Sequence, residues 1–185
     1  MTIVTMDSLS DIEMISQDAY RLGTIQDIRY DSTQWNIEGF KVKSNKGASI
    51  LLGAGSSRSM LIIKPYKFVL NDVLLLPDDA AEVKNYSKAD TDSIPALSSL
   101  LGKRIITSDG LTLGFIENIL IDLDNWFVHS FRVKLDKSAY EALSLKKGLF
   151  SKTISGILTT NVSAVSDNIM LRVSANTLKD MITLD

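Results

Sequence analysis

Residues capable of acid–base or nucleophilic chemistry are few in this chain and form no recognisable catalytic set. The sequence contains one histidine, His129, and no cysteine, which leaves no thiol nucleophile, no disulfide and no thiolate metal site. Asp27 and Asp31 are close enough in sequence to suggest a carboxylate pair, but aspartates that open turns commonly bind their own backbone. We therefore predict that the protein is not an enzyme and holds no metal or cofactor.

A glycine- and serine-rich stretch, Gly53–Ser57, has the composition of a loop that could hold a phosphate group. The lysine and hydroxyl residue that complete a nucleotide-binding loop do not follow it, and no strand-to-helix pattern surrounds it. The sequence therefore favours an ordinary loop here.

The segment from Arg132 to Lys152 is locally basic, with six lysine or arginine residues against Asp136 and Glu141. Such a patch can attract an anionic partner, although an ordinary solvated surface has the same composition. Two aromatic residues within the segment would add contact area. The candidate protein-binding residues are Lys137, Tyr140, Lys146, Lys147, Phe150 and Lys152.

These residues belong to a chain that contains one pattern twice. Leu22–Lys43 aligns without a gap with Leu113–Lys134, at an offset of 91 residues, and nine of the 22 positions are identical. Both tryptophans, Trp35 and Trp126, fall in register. The pattern indicates a duplicated domain.

The repeated stretch predicts two strands joined by a turn in each copy. Its apolar residues are spaced by three and then by two, and a step of three within a strand indicates a β-bulge that keeps both apolar ends on one face. Bulged strands bend, which lets a small sheet curl into a barrel. The repeated Leu-Gly step, at Gly23 and Gly114, predicts a close backbone approach or a positive φ angle. The predicted core residues are Ile25, Ile28, Trp35, Phe40 and Val42 in one copy, and Ile116, Ile119, Trp126, Phe131 and Val133 in the other.

The domain prediction follows from the repeat. We expect one domain over residues 1–76 and a second over 99–185, joined by an acidic linker at 77–98 that is bounded by prolines. The polar residues 1–11 are expected to be mobile. The segment Ser174–Leu184 predicts a short C-terminal helix.

The copies differ most after the repeated strands, in Ser44–Ser59 and Asp136–Lys152. Strands that persist while loops change are expected where a duplicated scaffold has acquired different partners. The loops therefore indicate separate binding duties for the two copies.

Overall composition limits the partners and the cellular location that can be expected for the protein. The 185-residue chain is 45% hydrophobic and carries a formal charge of −2, with a pI near 5.4, so no global positive field would recruit nucleic acid. The N-terminus lacks the pattern of a signal peptide, and the apolar runs are too short to span a bilayer. We expect a cytoplasmic protein without direct nucleic-acid binding or membrane insertion.

The pattern Leu-Gly-x-Ile-x-(Asp/Asn)-Ile-x-x-Asp, with an Asp-Gly turn before it and Phe-Arg-Val-Lys after it in the second copy, resembles the PRC-barrel domain. The second copy matches over about residues 99–173, and the first matches less closely because Ala19 replaces the turn glycine. The resemblance implies an all-β fold of two tandem small SH3-like PRC β-barrels with a short C-terminal helix. It also implies a protein-binding module with no catalytic residues.

Tandem PRC-barrel proteins without a membrane anchor are typical of archaea, and the chain is similar to those of archaeal cell division (the CdpB type). This implies an adaptor at the mid-cell division site that binds the FtsZ anchor SepF or a paralogous PRC-barrel protein. The alternative is a ribosome-maturation or RNA-associated factor whose PRC barrel binds a ribosomal protein. Edge strands of a small open barrel further predict self-association, in the simplest case as a homodimer.

Overall fold

A computed structural model describes residues 2–63, 68–90, 92–145, 153–181 and 183–184. The chain divides into two compact units, each with its own sheet. The first unit comprises Asp7–Ser99, and the second comprises Met1–Met6 together with Leu100–Asp185.

Short strands and very short helices make up both halves of the chain. In chain order the first half contains β1 (Ile3–Thr5), α1 (Met6–Leu9), β2 (Glu13–Ile15), β3 (Arg21–Tyr30), β4 (Ile37–Lys43), α2 (Lys46–Leu51), β5 (Ser59–Ile63), β6 (Val69–Leu70), β7 (Val73–Leu75), α3 (Ala80–Val83) and β8 (Ser87–Ala89). The second half contains β9 (Arg104–Ile106), β10 (Thr112–Asp122), β11 (Phe127–Leu135), α4 (Lys137–Ala142), β12 (Thr153–Leu158), β13 (Val162–Val165), β14 (Asn168–Leu171), α5 (Ala175–Lys179) and β15 (Thr183–Leu184). Single 3₁₀ turns lie at Lys84–Tyr86, Leu97–Leu100 and Thr159–Asn161. The fold is mostly β-sheet, as the sequence predicts.

The two sheets have the same order of corresponding strands. In the first unit the order is β6-β7-β2-β3-β4-β5-β8, and in the second it is β13-β14-β9-β10-β11-β12-β15. In both, four consecutive strands pair antiparallel, and the first of them also pairs in parallel with a strand from late in the unit. Both sheets curl, and the duplication seen in the sequence recurs in their pairing.

The steps of three residues are β-bulges, which confirms that prediction. On β3, Ile25 pairs with Val42 and Asp27 pairs with Lys41, so Gln26 is the extra residue. The corresponding position of β10 has the same irregularity, and a second one lies near the far end of both hairpins. Each bulge bends its strand and increases the local twist.

The predicted core residues are buried in both units, except Trp126, which is half-buried. Trp35 is stacked on Tyr30, with ring centroids 5.7 Å apart. Ile121 occupies the position that corresponds to Tyr30, so the second unit offers its tryptophan no aromatic ring there. The prediction that both tryptophans are core anchors is therefore right for Trp35 and too strong for Trp126.

The repeated Leu-Gly step is a point of close backbone approach, as predicted. A Cβ atom added to Gly23 would lie 2.4 Å from the carbonyl oxygen of Lys43, and one added to Gly114 would lie 2.0 Å from that of Lys134. The φ angles of the two glycines are +154° and +144°. Only glycine fits here, because both the space and the dihedral angle exclude a side chain.

The turn before β3 and the corresponding turn before β10 each anchor a short helix, and they do so by the same contacts. Ser16 Oγ donates to the carboxylate of Asp18, which accepts the backbone N–H of Ala80 at the start of α3. In the second unit, the turn Thr107–Asp109 holds the first residue of α5 by the same contacts. The helices α3 and α5 therefore correspond, and α5 is the predicted C-terminal helix.

The segment predicted as an acidic linker, residues 77–98, is folded into the first unit. It contains α3, whose Ala80 and Val83 are buried, and β8, which pairs with β5. Leu97 is also fully buried. Averaging the composition over the segment hides these few apolar residues among many charges, which is why the sequence pattern pointed to a linker.

Residues near the N-terminus, expected to be mobile, are paired. In the second unit β1 pairs with β10, with Thr5 opposite Leu120. In the first unit Ala96 forms a bridge with Arg29. Thr5 and Ala96 are 91 residues apart, as are Arg29 and Leu120. Residues that precede the first copy in the sequence therefore pair in the sheet of the second unit. Residues that precede the second copy pair at the corresponding position in the sheet of the first unit.

We predict that Gly114→Ala destabilises the second unit by at least about 2 kcal/mol, because the methyl group would overlap the Lys134 carbonyl at an unfavourable φ angle. Gly110→Ala is the matched control, since Gly110 also has a positive φ but no atom within 4 Å of an added Cβ. Ala19 already occupies the corresponding position of the first unit. Urea unfolding followed by the amide NMR signals of β10 and β11 measures both variants separately from the first unit, and equal losses would contradict the steric argument.

Candidate functional site

The structure describes two of the six candidate protein-binding residues. Lys137 is exposed at the first position of α4. Tyr140 is only 8% exposed, and burial raises the pKa of its hydroxyl, so it packs inward and offers little area to a partner. Lys146, Lys147, Phe150 and Lys152 lie outside the described residues.

The two aspartates considered as a carboxylate pair serve the backbone around them. The Asp31 carboxylate accepts the backbone N–H of Thr33 at 2.7 Å and the hydroxyl of the same residue, and these bonds lower the pKa of Asp31. The Asp27 carboxylate accepts the N–H of Ile28 and the hydroxyl of Ser98. Both carboxylates therefore have structural roles: Asp31 binds its own turn, and Asp27, within β3, holds Ser98.

The other sequence candidates also have local roles. His129 lies on β11 and is the extra residue in the β-bulge where Leu120 pairs with Ser130 and Ile121 pairs with Val128. Its Nδ1 lies 3.0 Å from Ser130 Oγ. The stretch Gly53–Ser57 follows α2 and leads into β5. Its order, helix and then strand, is the reverse of a phosphate-binding loop.

A buried charged cluster in the first unit was not foreseen from the sequence. Arg29 Nη2 lies 2.5 Å from Asp90 Oδ2, and both side chains are only 3% exposed. Arg29 also pairs with Asp92, and Lys41 Nζ lies 3.1 Å from Asp92 Oδ1 and 3.5 Å from Asp90 Oδ2. These four residues, which we name the Arg29 cluster, join β3 and β4 to the segment after β8.

Charge and burial oppose each other in the Arg29 cluster. Burial alone would raise the pKa of Asp90, but the hydrogen bond and charge of Arg29, with the charge of Lys41, lower it below its ordinary value. Lys41 and Arg29 lower the pKa of the more exposed Asp92. Burial alone would lower the pKa of Arg29, and its bonds to the two carboxylates reverse the direction. Arg29, Asp90 and Asp92 are therefore charged at neutral pH.

One sequence signal could have revealed the cluster. Arg29 occupies a position where the second copy has Leu120, so a charge replaces an apolar residue within a repeated strand. A buried arginine requires a carboxylate partner. The partner could not be identified from the sequence, because Asp90 lies 61 residues away in a segment assigned to the linker.

An open cleft of about 440 Å³ lies beside the Arg29 cluster in the first unit. It is lined by Gln26, Asp27, Lys41, Lys43, Arg58 and Ser59, which we name the basic cleft. Within the described part of the chain, Lys43 and Arg58 form no ion pair, and the buried Ser59 Oγ has no hydrogen-bond partner. The cleft therefore combines uncompensated positive charge with an unused hydroxyl.

Two further features concern metal binding and membrane crossing by the residues that the structure describes. No group of three or more histidine, aspartate or glutamate side chains there is arranged to hold a metal ion. None of the helices in those residues is long and apolar enough to cross a membrane.

Comparison with known proteins leaves the family open. None of the models of known protein families matches the chain, and no curated protein is significantly similar to it in sequence.

We predict that Asp90→Ala destabilises the first unit by about 3 kcal/mol or more, because it removes the buried partner of a buried guanidinium. The double variant Arg29→Leu with Asp90→Ala should recover more than half of this loss, since leucine is the residue at the corresponding Leu120. Urea unfolding followed by the amide NMR signals of β3 and β4 provides the free energies of unfolding for the first unit. A double variant less stable than Asp90→Ala would contradict this account of the cluster.

The Arg29 cluster also predicts that the stability of the first unit decreases at acidic pH. The pKa values of Asp90 and Asp92 are lower in the folded chain than the ordinary value of about 3.9, so protons bind the unfolded chain more tightly. Their stabilising contribution is complete above that value and is lost as the pH falls through the lower, folded pKa. Wild type should therefore lose more unfolding free energy on acidification than the Arg29→Leu, Asp90→Ala variant. If the unfolding free energies of the two proteins fell equally as the pH was lowered, this prediction would be wrong.

Proposed function

We propose that this protein is a non-enzymatic adaptor with a binding surface on each of its two units. We further propose that the units are tandem SH3-like barrels of the PRC-barrel family, which is the family that the repeated motif resembles. The activity needs no cofactor, because it consists of holding proteins together.

The observation that carries the proposal is the contrast between retained strands and changed loops. The two sheets share one strand order, the same bulges and the same glycine contact. The segments that follow β4 and β11 begin with corresponding six-residue helices, α2 and α4. Beyond these helices the two segments differ in length and composition. A retained scaffold with altered loops is expected when each copy binds its own partner. Two linked sites also raise avidity without new contacts.

The proposed setting is the FtsZ-based division machinery of archaea, at mid-cell. The motif's resemblance to tandem PRC-barrel division proteins supports this setting. One unit would bind an anchor protein such as SepF, and the other a paralogous PRC-barrel protein or a second copy of this chain.

Self-association is supported by the ends of the sheet in the first unit. The sheet ends in β6 on one side, where Val69 is 56% exposed. Its neighbour Leu75, which pairs with Val69, is also exposed. An edge strand with exposed apolar side chains can pair with a second edge.

A ribosome-maturation or RNA-associated role is the second candidate. The basic cleft favours it, because uncompensated cations can bind phosphate groups. The acidic pI and the overall charge of −2 favour a protein partner instead.

We predict that affinity capture with the tagged full chain retains SepF and an untagged second copy, and that a fluorescent fusion forms a band at mid-cell. Lys137→Gln should weaken capture by about twofold to fivefold if α4 contributes a rim charge. Lys179→Gln, at an exposed position on α5, is the control and should leave capture unchanged. Diffuse fluorescence with ribosomal proteins or RNA in place of SepF would support the second candidate.

A further inference from the structure

We propose that the basic cleft binds an extended acidic segment of a protein partner, with its carboxylates held by Lys43 and Arg58. This inference rests on the proposed protein-binding function and adds the location and chemistry of a site on the first unit.

The spacing of the cations fits a strand-like ligand. Lys41 and Lys43 alternate on β4, so they project from the same face of the sheet and are separated by about 7 Å along the strand. Ser59 on β5 lies directly opposite Lys43, and Arg58 precedes it. Acidic residues two positions apart in an extended peptide have the same separation, so successive carboxylates could meet successive cations.

The chain itself shows that carboxylates bind a cation of this row. Asp90 and Asp92 are two positions apart, in the segment that follows strand β8, and both pair with Lys41 and Arg29. These carboxylates neutralise the cations at one end of the row. Lys43 and Arg58, at the other end, form no ion pair with any residue that the structure describes, and both are exposed. Within the described residues, the chain's own carboxylates therefore pair with Lys41 but not with Lys43 or Arg58.

The floor of the cleft supplies a separate argument. Ser59 Oγ is buried but forms no hydrogen bond within the described residues, an arrangement that costs free energy unless a ligand satisfies it. If the Ser59 side chain rotated towards the cleft, its hydroxyl could donate a hydrogen bond to a carboxylate held by Lys43 and Arg58. Asp27, which also lines the cleft, has both oxygens engaged by Ile28 and Ser98, so its carboxylate is directed to the chain's own donors.

The duplication retains the same chemistry. Lys134 lies opposite Thr153, as Lys43 lies opposite Ser59. Lys152 immediately precedes Thr153 in the sequence, as Arg58 precedes Ser59, although residue 152 lies outside the described residues. The cation and hydroxyl positions agree in residue type between the copies, whereas the loops that lead to them differ. Charge at these positions is therefore retained where the surrounding sequence is not.

The test is fluorescence anisotropy of the purified full chain with a short synthetic peptide of alternating glutamate and threonine. The same peptide with glutamine in place of glutamate is the uncharged probe. Lys43→Gln with Arg58→Gln removes the free cations, and Arg104→Gln with Lys179→Gln removes the same charge at exposed positions of the second unit. Inorganic phosphate and a labelled single-stranded RNA are the competing probes.

We expect the glutamate peptide to bind and the glutamine peptide not to bind. The Lys43, Arg58 variant should weaken binding at the first unit by about tenfold or more, and the control variant should not. Amide NMR shifts on titration should be centred on residues 41–43 and 58–59 in the wild type, and those shifts should be lost in the Lys43, Arg58 variant.

Three results would overturn the inference: no binding of the glutamate peptide, equal weakening by both variants, or tighter binding of phosphate or RNA through Lys43 and Arg58. Failure of this site is distinguishable from failure of the proposed function. If the Lys43, Arg58 variant captures SepF and the second copy as well as the wild type does, and the glutamate peptide does not bind, the adaptor role stands and the cleft assignment is wrong. If the peptide binds but no division protein is captured, the cleft assignment stands and the division setting is wrong.

Discussion

The close approach of backbone to backbone at Gly23 and Gly114 is the constraint on which both sheets depend. Each glycine lies near the start of the long strand that pairs with neighbours on both sides. Without a side chain, the strand can approach the end of the next strand, at Lys43 or Lys134, and bend there. The bulge two to three residues later continues the bend while it returns the following isoleucine to the interior. Curvature in this fold therefore begins at a position defined by the absence of a Cβ.

The duplication provides an internal comparison that separates what the fold requires from what one unit has added. Both units retain the glycine, the bulges and the carboxylate that holds the short helix, so these features belong to the fold. The Arg29 cluster belongs to the first unit, and the second unit has Leu120 at the position that corresponds to Arg29. Since a buried ion pair seldom stabilises a fold more than apolar residues of similar size, the cluster is better explained by specificity. It joins the segment after β8 to β3 and β4.

Much of the interior could be predicted from the sequence, because two copies of one pattern reveal the spacing of buried residues. The steps of three residues identified the bulges, and the repeated Leu-Gly step identified the backbone contact. The segment at 77–98 was misread because its strand and helix are very short, and their partners lie in distant parts of the chain. The same is true of β1. Periodicity within a segment predicts which face is buried, but it carries no information about the element that covers that face. The Arg29 cluster and the basic cleft could not be predicted from the sequence for this reason. Their residues come from β3, β4, β5 and the segment after β8, which meet only in the folded chain.

The position of the basic cleft relative to the changed loops explains how one scaffold could serve two partners. Arg58 immediately precedes β5, and Lys152 immediately precedes the first residue of β12 in the sequence, so in each copy a cation follows the variable segment. Change within the loop alters the surface beside the cations without altering the row on β4 or β11, because strand pairing fixes that row. Rim surface of this kind determines which partner fits, while a charge at a fixed register determines how an extended segment aligns. Alignment would then be common to both copies, and the choice of partner would differ between them.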